Sequence, residues 1–221
     1  MKLSRILFFL ISVLLAVPSI AAAVEHKEIA IANITEVDIS GCHLKVKFVV
    51  GEQEYVKIDA SEKIIKDINL QQKDSLLTIK DADASKCDLT RRFTHKPEVV
   101  IGLKSVSLLR LQGFIDAKLA FEKEGITLND LGVTMHGSSS LEVKSTAHVK
   151  NLILTIYGFS NFDGENLQAE NGVVKVNGFS EAKVNVNGDL DAQSDGISSI
   201  YYYGMPRLSK SVKGLGYIHA K

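Results

Sequence analysis

Leu154-Thr155-Ile156-Tyr157-Gly158-Phe159-Ser160 is followed, twenty residues on, by Val174-Lys175-Val176-Asn177-Gly178-Phe179-Ser180. Both stretches place apolar residues four and two positions before a glycine, and a phenylalanine and a serine after it. Working outward, the same frame recurs at Gly113, Gly137, Gly196 and Gly214, so that the six glycines are 24, 21, 20, 18 and 18 residues apart. The pattern is weakest at Gly196, where Ser194 takes the second apolar place, and at Gly214, where Lys210 takes the first.

Alternation continues beyond each glycine. Four positions on stand Ala117, Leu141, Phe162, Ala182, Ile200 and Ile218; six positions on stand Leu119, Val143, Gly164, Val184, Tyr202 and Ala220. Between them lie mostly polar groups, such as Lys118, Glu142, Asp163 and Lys183. A period of two marks a strand with one buried face. Each unit reads as two short strands hinged at a glycine.

Two strands of about five residues bury too little to offset the entropy of ordering them. Stacking the copies lets each strand pair with its counterpart and joins the inward residues into continuous columns. A repeat near 20 residues suits one coil of a right-handed parallel β-helix, or β-solenoid, rising by about 4.8 Å per coil. The hinge glycine fits a corner where a Cβ would obstruct. Copies in register stack Phe159 on Phe179 and align Ser160, Ser180 and Ser198 as a hydroxyl column. The phenylalanines after Gly113, Gly158 and Gly178 read as interior filling, with an aromatic ligand platform as the alternative. An antiparallel β-sandwich is the competing fold, but its turns would not require the same glycine at the same point of each unit.

Residues 24–108 are less regular and read as a capping half, with residues 109–221 as the glycine-hinged repeats of one continuous domain. Stretches 28–39, 44–50, 55–58, 76–79, 99–103 and 106–111 read as strands. Residues 61–69 read as a helical turn or a loop, and 80–96 as a polar loop containing Cys87.

Residues 1–23 have the parts of a secretory signal peptide. Lys2 and Arg5 precede twelve uncharged apolar residues, Pro18-Ser19 breaks the run, and Ala21-Ala22-Ala23 supplies small residues for cleavage. Cleavage is expected between Ala23 and Val24, giving a periplasmic or extracellular chain with no membrane span in its mature part. Cys42 and Cys87 then read as a disulfide, with two thiols as the alternative. The chain has 26 basic and 26 acidic residues, and removing Lys2 and Arg5 leaves 24 bases against 26 acids. Nucleic-acid binding needs a clustered basic surplus, so that class is excluded.

With these elements assembled, the chain resembles the putative autotransporter adhesin head GIN domain family. The resemblance spans most of residues 30–221. It rests on the repeated hinge units, on Tyr203-Gly204-Met205-Pro206 followed by Val212-Lys213-Gly214-Leu215-Gly216, and on Leu76-Leu77-Thr78-Ile79 leading to residues 99–103. It implies an exported bacterial β-solenoid with adhesin-like binding, and it offers no catalytic residues to carry over. The sequence departs from the family in its bulky Phe after three hinges and in having no membrane-barrel region.

Catalytic, metal and cofactor sites are expected to be absent. The outward columns Gln112, His136, Tyr157, Asn177, Asp195, Lys213 and Arg110, Thr134, Thr155, Lys175, Gln193, Ser211 hold no paired carboxylates of the kind glycoside hydrolysis uses. The six histidines show no HxH or HExxH spacing. Tyr201-Tyr202-Tyr203 is the one dense aromatic cluster; Tyr202 points in, and Tyr201 and Tyr203 join Tyr157 as a candidate binding surface. The function read from this is a non-catalytic envelope module that binds a glycan or protein. Alternatives are a polysaccharide-acting enzyme on a β-helix scaffold, and a structural protein that self-assembles as a homo-oligomer.

Overall fold

The computed structural model describes residues 24–81 and 96–221. The expected signal peptide up to Ala23, and Cys87, lie outside the described residues. In chain order the elements are β1 (Val24–Ala30), β2 (Glu36–Val50), β3 (Tyr55–Ser61), α1 (Glu62–Asp67), β4 (Ile68–Lys73), β5 (Leu76–Asp81) and β6 (Glu98–Leu103). The repeats follow as β7 (Leu108–Phe121), β8 (Thr127–Gly137), β9 (Ser140–Val143), β10 (Ala147–Gly158) and β11 (Asn161–Gly178). The last elements are β12 (Glu181–Val186), β13 (Asp189–Gly196), β14 (Ser199–Tyr203), β15 (Arg207–Gly214) and β16 (Tyr217–Ala220).

The protein is an all-β solenoid. Stretches before the glycines pair in parallel through β2, β7, β8, β10, β11, β13 and β15, and stretches after them through β2, β7, β9, β11, β12, β14 and β16. Parallel, in-register pairing between neighbouring repeats is what a coil stacked on itself produces, and it excludes the antiparallel sandwich. Residues 127–128, 147–149, 167–169 and 185–186 align as a short third side.

Gly41, Gly113, Gly137, Gly158, Gly178, Gly196 and Gly214 form one file, each in register with the next. Gly41 heads a copy inside the half expected to be irregular: Val37, Ile39 and Gly41 repeat the frame, and β2 is a full coil paired with β7 over most of its length. A one-residue bulge at His43, whose φ is +62°, had masked the alternation there.

The core consists of columns. Val37, Leu109, Val133, Leu154, Val174 and Ala192 are buried in one row, and Ile39, Leu111, Met135, Ile156 and Val176 in the next. Beyond the corner Val46, Ala117, Leu141, Phe162, Ala182 and Ile200 are buried beneath Phe48, Leu119, Val143 and Val184. Sizes compensate between rows: Phe162 is large where Gly164 has no side chain, and its ring fills the space a Cβ there would need. Ser194, the weak place in the fifth repeat, is buried and donates to the Ser198 carbonyl at 2.8 Å, so its polarity is satisfied inside the core.

The N-terminal end of the shaft is capped. β4 adds antiparallel to β5, and β1 and β3 add antiparallel beyond β6. α1 joins the two extensions, with Ile65 and the following Ile68 buried over the end of the core. At the opposite end β15 and β16 form the last coil, and Lys210 occupies the row that holds Leu109, Val133, Leu154, Val174 and Ala192. Lys210 thus puts a charge in a row that is otherwise apolar.

Candidate functional site

The corner is built from glycines that no other residue can replace without strain. Gly158 has φ +102° and Gly178 φ +99°, a left-handed region that side chains rarely adopt. Each next residue donates its N–H to the glycine carbonyl one coil below: Ser138 to Gly113 at 2.8 Å, Phe159 to Gly137 at 2.7 Å, Phe179 to Gly158 at 2.8 Å. The serine that follows turns inward and is buried. Ser160 Oγ donates to the Gly137 carbonyl at 3.3 Å and Ser180 Oγ to that of Gly158 at 2.9 Å, while the Ser160 N–H donates to Ser180 Oγ at 3.0 Å. This hydroxyl column clamps the corner, so the residues between glycine and serine project rigidly.

The residues that follow the corner glycines project outward. Phe114, Phe159 and Phe179 are 44%, 66% and 57% exposed, which overturns the reading of them as interior filling. The physical reason is parity. With Ile156, Ser160 and Phe162 all facing the core, the period of two runs unbroken through the corner and puts Tyr157 and Phe159 outside. Ile197 and Leu215 continue the row, also exposed. Phe159 and Phe179 stack with ring centroids 5.2 Å apart and planes 4° apart, as the repeat predicts. One coil below Ser138, Phe114 stacks on His43 at 5.3 Å. Exposed apolar side chains gathered in one row, broken only at Ser138, are the kind of surface that marks an interaction site.

Beside the row runs a shallow groove of about 270 Å³, bounded by Phe114, Ser138 and Phe159 and by Asp116, Ser140 and Asn161 of the neighbouring strip. Ser140 Oγ donates to Asp116 Oδ1 at 3.0 Å, which orients the carboxylate.

The family comparison comes to the same architecture. The family described as "Putative auto-transporter adhesin, head GIN domain" matches residues 33–206. The chain belongs to this GIN-domain family. Solved structures with the same fold include a putative adhesin from Bacteroides fragilis NCTC 9343, 20% identical, with a TM-score of 0.64 over 90% of this chain and 97% of that one. A second is a putative adhesin from Parabacteroides distasonis ATCC 8503, 18% identical, with a TM-score of 0.53 over 91% of this chain and 98% of that one. No curated protein matches the chain at a significant level.

In this GIN domain the three candidate tyrosines do not converge. Tyr157 lies on the strip before the corner, stacked on His136 at 4.7 Å, whereas Tyr201 and Tyr203 lie on the strip after it, two coils further on. Tyr201 is engaged on two sides: its hydroxyl bonds that of Tyr217, and Lys221 Nζ lies 4.6 Å from its ring centroid. The shared hydrogen bond pushes the Tyr201 hydroxyl up to about 12 and lowers that of Tyr217. Tyr203 donates to Glu165 Oε1 at 2.7 Å, which raises its pKa, and Lys183 Nζ bridges Glu165 and Asp163 at 3.3 and 3.2 Å. Tyr202 packs against the core, as alternation requires.

The outward column places His136 and Asp195 three coils apart. Among the described residues no group of three or more His, Cys, Asp or Glu could hold a metal ion. No helix there is long and apolar enough to cross a membrane. Cys42 is buried, and its expected partner Cys87 lies outside the described residues.

Proposed function

We propose that this GIN domain is an exported, non-catalytic binding module of the bacterial envelope, and that it engages a glycan or protein through the corner row. The observation that carries the reading is the exposed file Phe114, Phe159, Phe179, Ile197 and Leu215, each following a corner glycine, with Phe159, Phe179 and Ile197 held between that glycine and a buried serine. Phenylalanine at these positions gives the fold itself only ring stacking, about 1 kcal/mol or less, whereas a partner that covers them gains apolar burial on a scaffold already ordered. The charged start and apolar run of residues 1–23 support export. Lys210 at the open end argues against end-to-end stacking as the function.

The test is retention on immobilised envelope glycans and envelope proteins. Wild-type chain is expected to be retained, and a Phe159→Ala/Phe179→Ala double variant to lose most of that retention while melting normally. Tyr201→Ala is expected to keep it. Equal retention of the double variant would remove the row from the function, and no retention of the wild type on either class would remove the reading itself.

Export also places the two cysteines in an oxidising compartment, and the burial of Cys42 is consistent with a bonded rather than a reactive sulfur. The Cys42–Cys87 pair is therefore proposed as a disulfide. Maleimide added to the exported, denatured, unreduced chain is expected to label neither cysteine; labelling of both would exclude the bond.

A further inference from the structure

The aromatic row is interrupted once. His43 and Phe114 form one stacked pair and Phe159 and Phe179 another, and the single coil between them carries Ser138. Coils are about 4.8 Å apart, so the facing rings of Phe114 and Phe159 are separated by about 9.6 Å, two rungs of the ladder. A ring inserted midway would lie about 4.8 Å from each, within the range of stacked ring centroids. The gap thus has the width of one ring.

The wall beside this gap is polar. Asp116, Ser140 and Asn161 line the same groove as Phe114, Ser138 and Phe159. They stand in register on successive coils, so a carboxylate, a hydroxyl and an amide face the rim of anything lodged in the gap. A planar hydrocarbon ring would offer those groups no hydrogen bond beyond the one Ser140 already gives Asp116, and would displace water from them without replacing it. A pyranose has the matching chemistry: C–H groups on its two faces for the phenylalanines, and hydroxyls around its edge for the polar wall.

We infer that the notch over Ser138 is a saccharide subsite, in which one sugar ring completes the aromatic ladder between Phe114 and Phe159 and bonds Asp116, Ser140 and Asn161 through its hydroxyls. This rests on the binding-module reading above and names its ligand class and its site. Ser138 is the residue that makes room: a phenylalanine at this place, as at the equivalent places one coil above and one coil below, closes the subsite without disturbing the corner.

The experiment is ligand-observed saturation-transfer NMR and calorimetry on the purified chain, with chito-, cello- and galacturonate oligosaccharides and indole as probes. At least one saccharide is expected to bind. Its affinity is expected to fall at least tenfold in Ser138→Phe and in Phe159→Ala, to fall in Asn161→Ala, and to stay within twofold in Tyr201→Phe. Melting curves of Ser138→Phe and Phe159→Ala matching the wild type exclude misfolding as the cause, and either variant alone decides the point if the other fails to fold. Saccharide binding that survives both variants overturns the notch but leaves the binding module standing. Indole binding more tightly than every saccharide overturns the ligand class. Absence of saccharide binding overturns the inference; retention on envelope proteins in the separate assay would then keep the broader reading.

Discussion

Replacing Gly158 with alanine is expected to destabilise the protein by at least about 3 kcal/mol, a large effect for removing no contact at all. A Cβ at this position would lie 2.5 Å from the Gly137 carbonyl oxygen and 3.2 Å from its nitrogen, and the backbone φ is +102°. The obstructing atoms are main chain, fixed by the corner hydrogen bonds from Phe159 to Gly137 and from Phe179 to Gly158, so they cannot swing aside as a side chain would. Relief requires parting two coils and loosening those bonds, each of them a net contribution of about 1 kcal/mol, on top of about 1–3 kcal/mol of backbone strain. For a chain of this size, a melting temperature lower by roughly 6–12 °C follows. Gly125→Ala is the control. Gly125 also has positive φ, at +73°, but nothing lies within 4 Å of its would-be Cβ. It should lose about 1 kcal/mol, from strain alone. Equal losses for the two variants in denaturant melts would show that the stacked corner is not what Gly158 supplies.

The second large effect separates two phenylalanines three residues apart. Phe162→Ala is expected to cost about 3–5 kcal/mol, the range for emptying an aromatic site in a packed core. The ring is fully buried, in register with Leu141 and Ala182, and overlies Gly164, which has no side chain to refill the space. Phe159→Ala is expected to cost about 1 kcal/mol or less, because a side chain 66% exposed gives up only its stacking on Phe179. Urea unfolding of the two variants measures both. A costly Phe159→Ala paired with a mild Phe162→Ala would reverse the assignment of inside and outside on which the binding surface depends.

Much of the architecture is legible before any coordinates. The recurrence of apolar-x-apolar-x-Gly and the alternation after it require coils in register, and the glycine file, the Phe159–Phe179 stack and the alignment of Ser160, Ser180 and Ser198 in one column follow directly. The copy at Gly41 was equally present in Val37, Ile39 and Gly41, but the extra residue at His43 shifts its continuation by one and hides it from a fixed frame. The ridge was missed for a different reason. Hydrophobicity argued for placing phenylalanine inside, while parity argued for placing it outside, and parity carries the geometric constraint. A residue between an inward position and an inward serine has nowhere to point but outward.

The amino-acid sequence alone determined that this chain is a stack of glycine-cornered coils, because period and repeat length are properties of the string and constrain which backbone paths can bury a continuous core. Only the tertiary structure decided which neighbours each side chain meets. It tied Tyr201 to Tyr217 and Tyr203 to Glu165, taking both hydroxyls into the protein's own network. It set Asp116, Ser140 and Asn161 beside a break in an aromatic row contributed by residues 43, 114, 159 and 179. That juxtaposition depends on how coils separated by up to 72 residues in sequence come into register, as Gly41 does with Gly113. Register between distant coils is fixed by packing across the whole shaft, and no single repeat contains it.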